Sequence, residues 1–214
     1  MKLYVHDHVQ QVRDLHQRIL GVYTQFETVH GLLQSFADNL FHAYSIGDPR
    51  CTVEISNHHP QFIGQQPKEV LHRAFGLADA QQIIASAYGY ASWTDLPYTP
   101  IDHEFERAAD LLVSGEKQQL ERVIRAQPEL VRKRSSFGHR ATLLHYAGSN
   151  GVEIWRQMVP SNISEIVEML LEKGADKGAT ANFYGGQYDT FTLAKTSAHP
   201  QDAGVMEILL QSLA

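Results

Sequence analysis

What most limits the fold of this chain is a recurring unit: an apolar-periodic segment of helical length that stops at a glycine. Gly47, Gly89, Gly115, Gly151 and Gly174 each close such a segment. In "LADAQQIIASAYGY" (77–90) the apolar residues recur at three- and four-residue steps, which lays one stripe along a helix. Glycine just beyond the last periodic residue is the usual helix stop. The same period runs through Val12, Leu15, Ile19, Val22, Phe26, Val29, Leu32 and Leu33, weakened locally by Gly21 and Gly31, and predicts helix over 8–46. "ADNLFHAYSIGD" reads as another helix, ended by Gly47 with Pro49 beyond. No segment sustains a period of two, and "RCTVEIS" (50–56) comes closest. The chain is expected to be all-α and built from short helix pairs.

Residues 60–69 read as a loop and "ASWTDL" as a short helix with Ser92 as N-cap. "PYTPIDHE" (97–104), with its two prolines, is the best linker candidate. It separates an N-terminal helical region, 1–96, from a more regular region, 104–214. There the expected helices are 104–114, 116–126, 142–149, 162–173, 190–198 and 202–213, with 152–161 irregular.

Composition bounds the function. A chain with 43% hydrophobic and 20% charged residues belongs among ordinary globular proteins. Its formal charge of -6 argues against nucleic acid or an anionic membrane as a partner, since both select a dense basic face. The longest basic cluster, "VRKRSS" (131–136), reads more simply as an exposed loop than as a phosphate-binding patch. Cys51 is the only cysteine, which excludes an intrachain disulfide and a thiolate zinc cluster. The start, "MKLYVHDHVQ", lacks the apolar run of a signal peptide. Nor does any window approach the roughly 18 apolar residues of a membrane span. A cytoplasmic protein is expected.

Internal repeats come next. "LLVSGEKQQLERVIRAQPEL" (111–130) lies on "AYSIGDPRCTVEISNHHPQF" (43–62), with Gly115 on Gly47, Glu116 on Asp48, Val123 on Ile55, Pro128 on Pro60 and Leu130 on Phe62. That match makes 50–56 a helix with Pro49 in its first turn. "IVEMLLEKGADKGA" (166–179) resembles "GVMEILLQSLA" (204–214), each as the second helix of a pair.

"ATLLHYAGSNG" (141–151) followed by "ISEIVEMLLEKGAD" resembles the ankyrin repeat, whose pattern is Thr-Pro-Leu-His-x-Ala, a glycine turn, and an apolar helix ending Leu-Leu-x-x-Gly-Ala-Asp. Thr142, Leu144, His145, Ala147, Gly151, Val167, Leu170, Leu171, Gly174, Ala175 and Asp176 match it, Leu143 replaces the proline, and 152–162 is an insertion. "YDTFTLAKTSAHP" with "AGVMEILLQSLA" looks like a degenerate next repeat in which Lys195 departs from the pattern, and "FERAADLLVSGEKQQLERVIRAQPELV" resembles an N-terminal cap. The whole chain resembles bacterial ankyrin-repeat proteins in which a helical region precedes the repeats. The resemblance implies an all-α helical solenoid of ankyrin-like pairs with the N-terminal helices packed on it. It also implies that Thr142 caps a helix, that Leu170, Leu171 and Val167 fill the core between repeats, and that the His145 ring bonds backbone groups of its turn. It implies no reaction.

The 12 histidines call for a metal or acid–base test. His6 and His8 fall in a terminus expected to fray. His58 and His59 fall at a helix end, where a cation suits the dipole, and neither group has ligand spacing. No cofactor is expected. Cys51, near a helix start, is read as a small buried apolar group rather than a nucleophile. There is no Gly-x-Ser-x-Gly elbow and no phosphate-cradling glycine loop. Tyr88, Tyr90 and Trp93 read as core aromatics.

Two segments stand out as binding candidates. One is "NFYGGQYDTF" (182–191), with Phe183, Tyr184 and Tyr188 around a Gly-Gly pair. The other is the insertion 152–162, with Trp155, Arg156 and Met158, residue types that dominate interfaces, although folding back over the repeat edge is its simpler reading. His139 and Arg140 precede the repeat. These eight residues are the expected partner- or ligand-binding set, on loops 132–141, 152–162 and 178–189. The leading expectation is a module that binds another protein. The alternative is a small-ligand binder or enzyme with a pocket between the N-terminal helices and the loops, lined by His139, Arg140, Trp155, Tyr184 and Tyr188. Self-association is a third, because "MEILLQSLA" offers no strongly polar cap.

Overall fold

The computed structural model of the chain describes residues 2–59, 61, 62 and 65–214. These residues hold thirteen α-helices and four short strands. They divide into two units: Asp7–Ile101, and Asp102–Ala214 together with the described residues of Met1–His6.

The first unit contains α1 (Asp7–Leu15), α2 (Gln17–Leu20), α3 (Val29–Ser45), α4 (Thr52–His58), α5 (Pro67–Val70) and α6 (Leu77–Ala87). The continuous helix expected over 8–46 is broken. α2 stops at Gly21, residues 22–28 hold only a short 3₁₀ turn (Tyr23–Gln25), and Thr28 caps α3 by accepting the Gly31 N–H at 3.2 Å. "ADNLFHAYSIGD" is the second half of α3 rather than a separate helix, because Leu40 and Ala43 stay in phase with Leu32, Leu33 and Phe36. This stripe packs on Ala80, Ile83, Ile84 and Ala87 of α6, and Tyr88 joins it against Phe36. Trp93 is half-buried beside His30 instead. Residues 50–56 are helical, with Pro49 at the first position and Asp48 accepting the Arg50 N–H.

Two expectations fail here for local reasons. Residues 97–101 are not a free linker: Val29 N–H donates to the Thr99 carbonyl, Ile101 N–H donates to the Glu27 carbonyl, and Ile101 is buried. Proline at 97 and 100 suits this edge pairing because its missing N–H is not needed there. The 60–69 segment is not wholly loop, since α5 begins at Pro67; Pro60, and with it the aligned Pro60–Pro128 pair, lies outside the described residues.

The second unit runs α7 (His103–Val113), α8 (Lys117–Ala126), α9 (Leu143–Tyr146), α10 (Ile163–Glu172), α11 (Thr190–Thr196), α12 (Ala198–Asp202) and α13 (Met206–Leu213). Contacts run α7 to α9 to α11, and α8 to α10 to α13. Gly148 lets α11 come close to the turn after α9: a Cβ there would sit 3.1 Å from Leu193 Cβ. Val167 and Leu170 are fully buried, whereas Leu171, expected beside them, is partly exposed. The chain start is tied down rather than frayed. β1 (Leu3–Tyr4) pairs antiparallel with β2 (Val159–Pro160), and the His6 ring meets His199 edge-on at 5.6 Å.

Five helices end in one hydrogen-bonding device. Glu116 N–H reaches back to the Leu111 carbonyl and Ala175 N–H to that of Leu170, with Gly115 and Gly174 between them at φ +79° and +89°. Asp48, Tyr90 and Val205 close on Ala43, Ala85 and Pro200 in the same way. Only glycine enters that left-handed conformation without steric cost, which is why this part of the sequence is so plainly punctuated.

The described residues are mostly helical, and they depart from the all-helical expectation in two places, the β1–β2 pair and a hairpin. Residues 180–189 form a hairpin, β3 (Thr180–Phe183) and β4 (Gly186–Asp189), joined by Tyr184 and Gly185 at φ +51° and +75°. Two residues with positive φ make the turn that matches strand twist. No helix among the described residues is long and apolar enough to cross a membrane.

Candidate functional site

The insertion 152–162 folds inward. Ile154, Trp155 and Arg156 form a buried 3₁₀ turn, and Met158 is buried after it. Arg156, with 1% of its side chain exposed, is surrounded by acids from elsewhere in the unit. Its Nη1 donates to Glu106 Oε2, its Nε to Asp110 Oδ1 at 2.8 Å, and its Nη2 to the Glu106 carbonyl at 3.1 Å. The guanidinium also lies 4.3 Å from the Trp155 ring centroid and 5.5 Å from that of Tyr146. Burial opposes its charge, but Asp110, Glu106 and Glu153 raise the Arg156 pKa well above its usual value. Three carboxylates share this one guanidinium, and burial, aided by Glu153, raises the Glu106 pKa above its ordinary range although Arg156 opposes the shift. The residues expected at a contact surface are therefore spent on the interior.

His139 is part of the same network. Its Nδ1 accepts the Ala141 N–H at 3.1 Å, so Nε2 carries the proton shared with Glu153 Oε1, also at 3.1 Å. Burial raises the Glu153 pKa, but His139 and Arg156 outweigh it and hold the carboxyl below its ordinary range. The His139 ring stacks on Phe183 at 5.5 Å, and both are buried.

His145 closes the turn before α9. Nδ1 accepts the Thr142 N–H at 3.1 Å, and Nε2 donates to the Tyr188 carbonyl at 3.2 Å. Burial pushes its pKa down to about 4, which keeps the ring neutral near pH 7. Thr142, in the N-cap position, thus binds His145, and His145 in turn holds the hairpin.

What remains outside is an edge made of two turns. Residues 135–141 close on themselves, Ser135 N–H donating to the Ala141 carbonyl at 2.8 Å, with exposed Arg140 at φ +56°. Asn182 of β3 joins this turn to the hairpin: its N–H donates to the His139 carbonyl at 2.8 Å and its Nδ2 to that of Gly138 at 3.1 Å. Arg134 bridges both, Nη1 donating to the carbonyls of Arg140 and Thr180 at 2.8 and 2.7 Å. Tyr184 stands at the hairpin tip, 71% exposed, its hydroxyl fixed on Asn150 Oδ1 at 2.6 Å and its ring edge-on to half-buried Tyr188. Of the eight expected residues, Arg140, Tyr184 and Tyr188 reach this edge; His139, Trp155, Arg156, Met158 and Phe183 lie beneath the surface. Sequence reasoning missed Arg134 and Asn182. The "VRKRSS" cluster held the signal for the first, while the second has none.

Cys51 is buried and donates to the Asp48 carbonyl, and burial pushes its thiol up to about 12. His58, expected as a cation at a helix end, has its pKa lowered by burial. No group of three or more His, Cys, Asp or Glu among the described residues is placed to hold a metal ion. Comparison with protein-family models, curated proteins and solved structures finds no match for the chain.

Proposed function

We propose that the chain is a protein-binding module in which residues 104–214 form a short solenoid of ankyrin-like helix pairs, preceded by the helical region 1–96. The contact order α7–α9–α11 alongside α8–α10–α13 supports the solenoid reading, since stacked pairs cover one another's apolar faces in that way. The hairpin and the 135–141 turn then stand where successive pairs are joined, the region from which such scaffolds bind.

The observation that carries the binding reading is the construction of the two-turn edge. Its exposed residues include an arginine and a tyrosine, types that contribute most to interfaces. Both sit at positive φ, a conformation that costs non-glycine residues free energy, and both are held by hydrogen bonds. A preordered aromatic tip loses little entropy when a partner covers it. The buried engagement of His139 and Trp155 weighs against the pocket that the alternative required.

Affinity capture with the wild-type chain and an Arg140→Ala/Tyr184→Ala variant tests the reading. Proteins retained by the wild type are expected to be lost by the variant. Retention unchanged between the two, or no retention together with turnover of a specific small molecule, would overturn it.

A further inference from the structure

Beside the two-turn edge lies a cleft of about 370 Å³, lined by Val131, Arg132, Arg134, Thr142, Gly174, Asp176 and Ala179. Its size falls within the ~300–1,000 Å³ of small-molecule sites. Its charged groups are out of balance. Arg132 and Arg134 are held in place by carbonyls, Arg132 Nε by that of Gly174 at 3.2 Å and Arg134 by two others. A carbonyl fixes a guanidinium without neutralising it. Among the described residues no carboxylate forms an ion pair with either one. Lys133, between them in sequence, is by contrast paired with Asp102 at 2.9 Å. Gly174 is part of the cleft lining: a Cβ there would sit 3.2 Å from Arg132 Nη2, so the missing side chain lets the guanidinium approach the backbone. The one acid in the cleft, Asp176, is exposed and turns one oxygen to the Gly178 N–H at 2.9 Å.

We propose that this cleft binds the phosphate group of a phosphomonoester. Two guanidinium groups fixed on one cavity, with N–H donors left over beyond those their carbonyls use, match a tetrahedral dianion better than a monovalent carboxylate. The proposal does not depend on the two-turn edge holding a protein, and either can fail alone. The ligand is a free small molecule or a phosphorylated side chain on a partner; the chemistry recognised is the same.

The test is an amide chemical-shift titration of the full chain with inorganic phosphate, O-phosphoserine and a short phosphoserine peptide, with serine as control. Saturable shifts are expected at Arg132, Gly174, Asp176 and Ala179 for the three phosphorylated probes and none for serine. Arg132→Gln should weaken binding roughly tenfold, in line with the loss of one charge-assisted hydrogen bond. Asp176→Asn, which removes the opposing charge at an exposed position, should tighten it severalfold. That second variant keeps the proposal testable if Arg132→Gln disturbs the fold. A peptide that binds more than roughly tenfold tighter than phosphoserine assigns the site to a partner-borne phosphate, and equal affinity assigns it to a free ligand. No saturable shift at the cleft, or affinities unchanged in both variants, would overturn the proposal.

Discussion

Replacing Arg156 with methionine would show whether this residue holds the fold together or meets a partner. Methionine keeps most of the side-chain length and removes the charge. In the wild type the guanidinium contacts Glu106 and Asp110, with Glu153 3.7 Å away, and Glu106 and Glu153 are fully buried. Loss of one member of a buried charge cluster leaves the others uncompensated and typically costs about 3–5 kcal/mol. Against a domain stability of about 5–15 kcal/mol, that removes a large fraction of the total. With a urea dependence near ~2 kcal/mol per molar, the midpoint should fall by about 2 M with little change in slope. Urea unfolding followed by circular dichroism gives this directly. Adding Glu153→Gln should recover part of the loss, because one of the stranded charges goes with it. If Arg156 served a partner, its replacement would weaken capture and spare stability. A loss below ~1 kcal/mol, with no coupling to Glu153, would show that Arg156 does not hold the fold together.

Two further outcomes follow from burial. Leu170→Ala should destabilise by about 2–5 kcal/mol, whereas partly exposed Leu171→Ala should cost clearly less, as the same unfolding assay would show; equal losses would contradict the assigned helix face. His145, with its pKa lowered to about 4, binds a proton less readily folded than unfolded. Its contribution is complete above the unfolded value near ~6.5 and is lost as pH falls toward 4, by about 1.4 kcal/mol per unit through that window. A proton NMR titration should find the ring neutral at pH 5, and a midpoint near 6.5 would contradict the buried, hydrogen-bonded ring.

The sequence announced its helices where apolar period and glycine agreed. α6, α7, α8 and α10 begin and end within two residues of expectation, and Gly47, Gly89, Gly115 and Gly174 are the turns they were read to be. The hairpin was harder to see because each strand has four residues. Ala181 and Phe183 do alternate with exposed Thr180 and Asn182, but four positions are too few to establish a period. The expected helix 142–149 shrinks to the single turn of α9, which ends at Tyr146, so the turn residues of "AGSNG", with Ser149 at φ +47° and Gly151 at +77°, start earlier than the expected helix end.

The candidate site was legible only in part. Tyr184 and Arg140 could be singled out because aromatic and basic residues beside glycine turns are unusual in loops. Arg156 and His139 were misplaced for one physical reason. Arginine and histidine read as surface residues until their counter-charges are known, and those of Arg156 lie 46 and 50 positions away on α7. His145 is legible as a turn histidine, since its partners, apart from Tyr188, are local.

Site-specific photo-crosslinking in cells that make this chain tests most directly whether the two-turn edge meets a partner protein. A photoreactive phenylalanine at position 184 is compared with one at Glu172, exposed at the end of α10. A discrete protein adduct is expected from position 184 and none from 172. No adduct at 184, or the same adducts from both positions, would contradict that expectation.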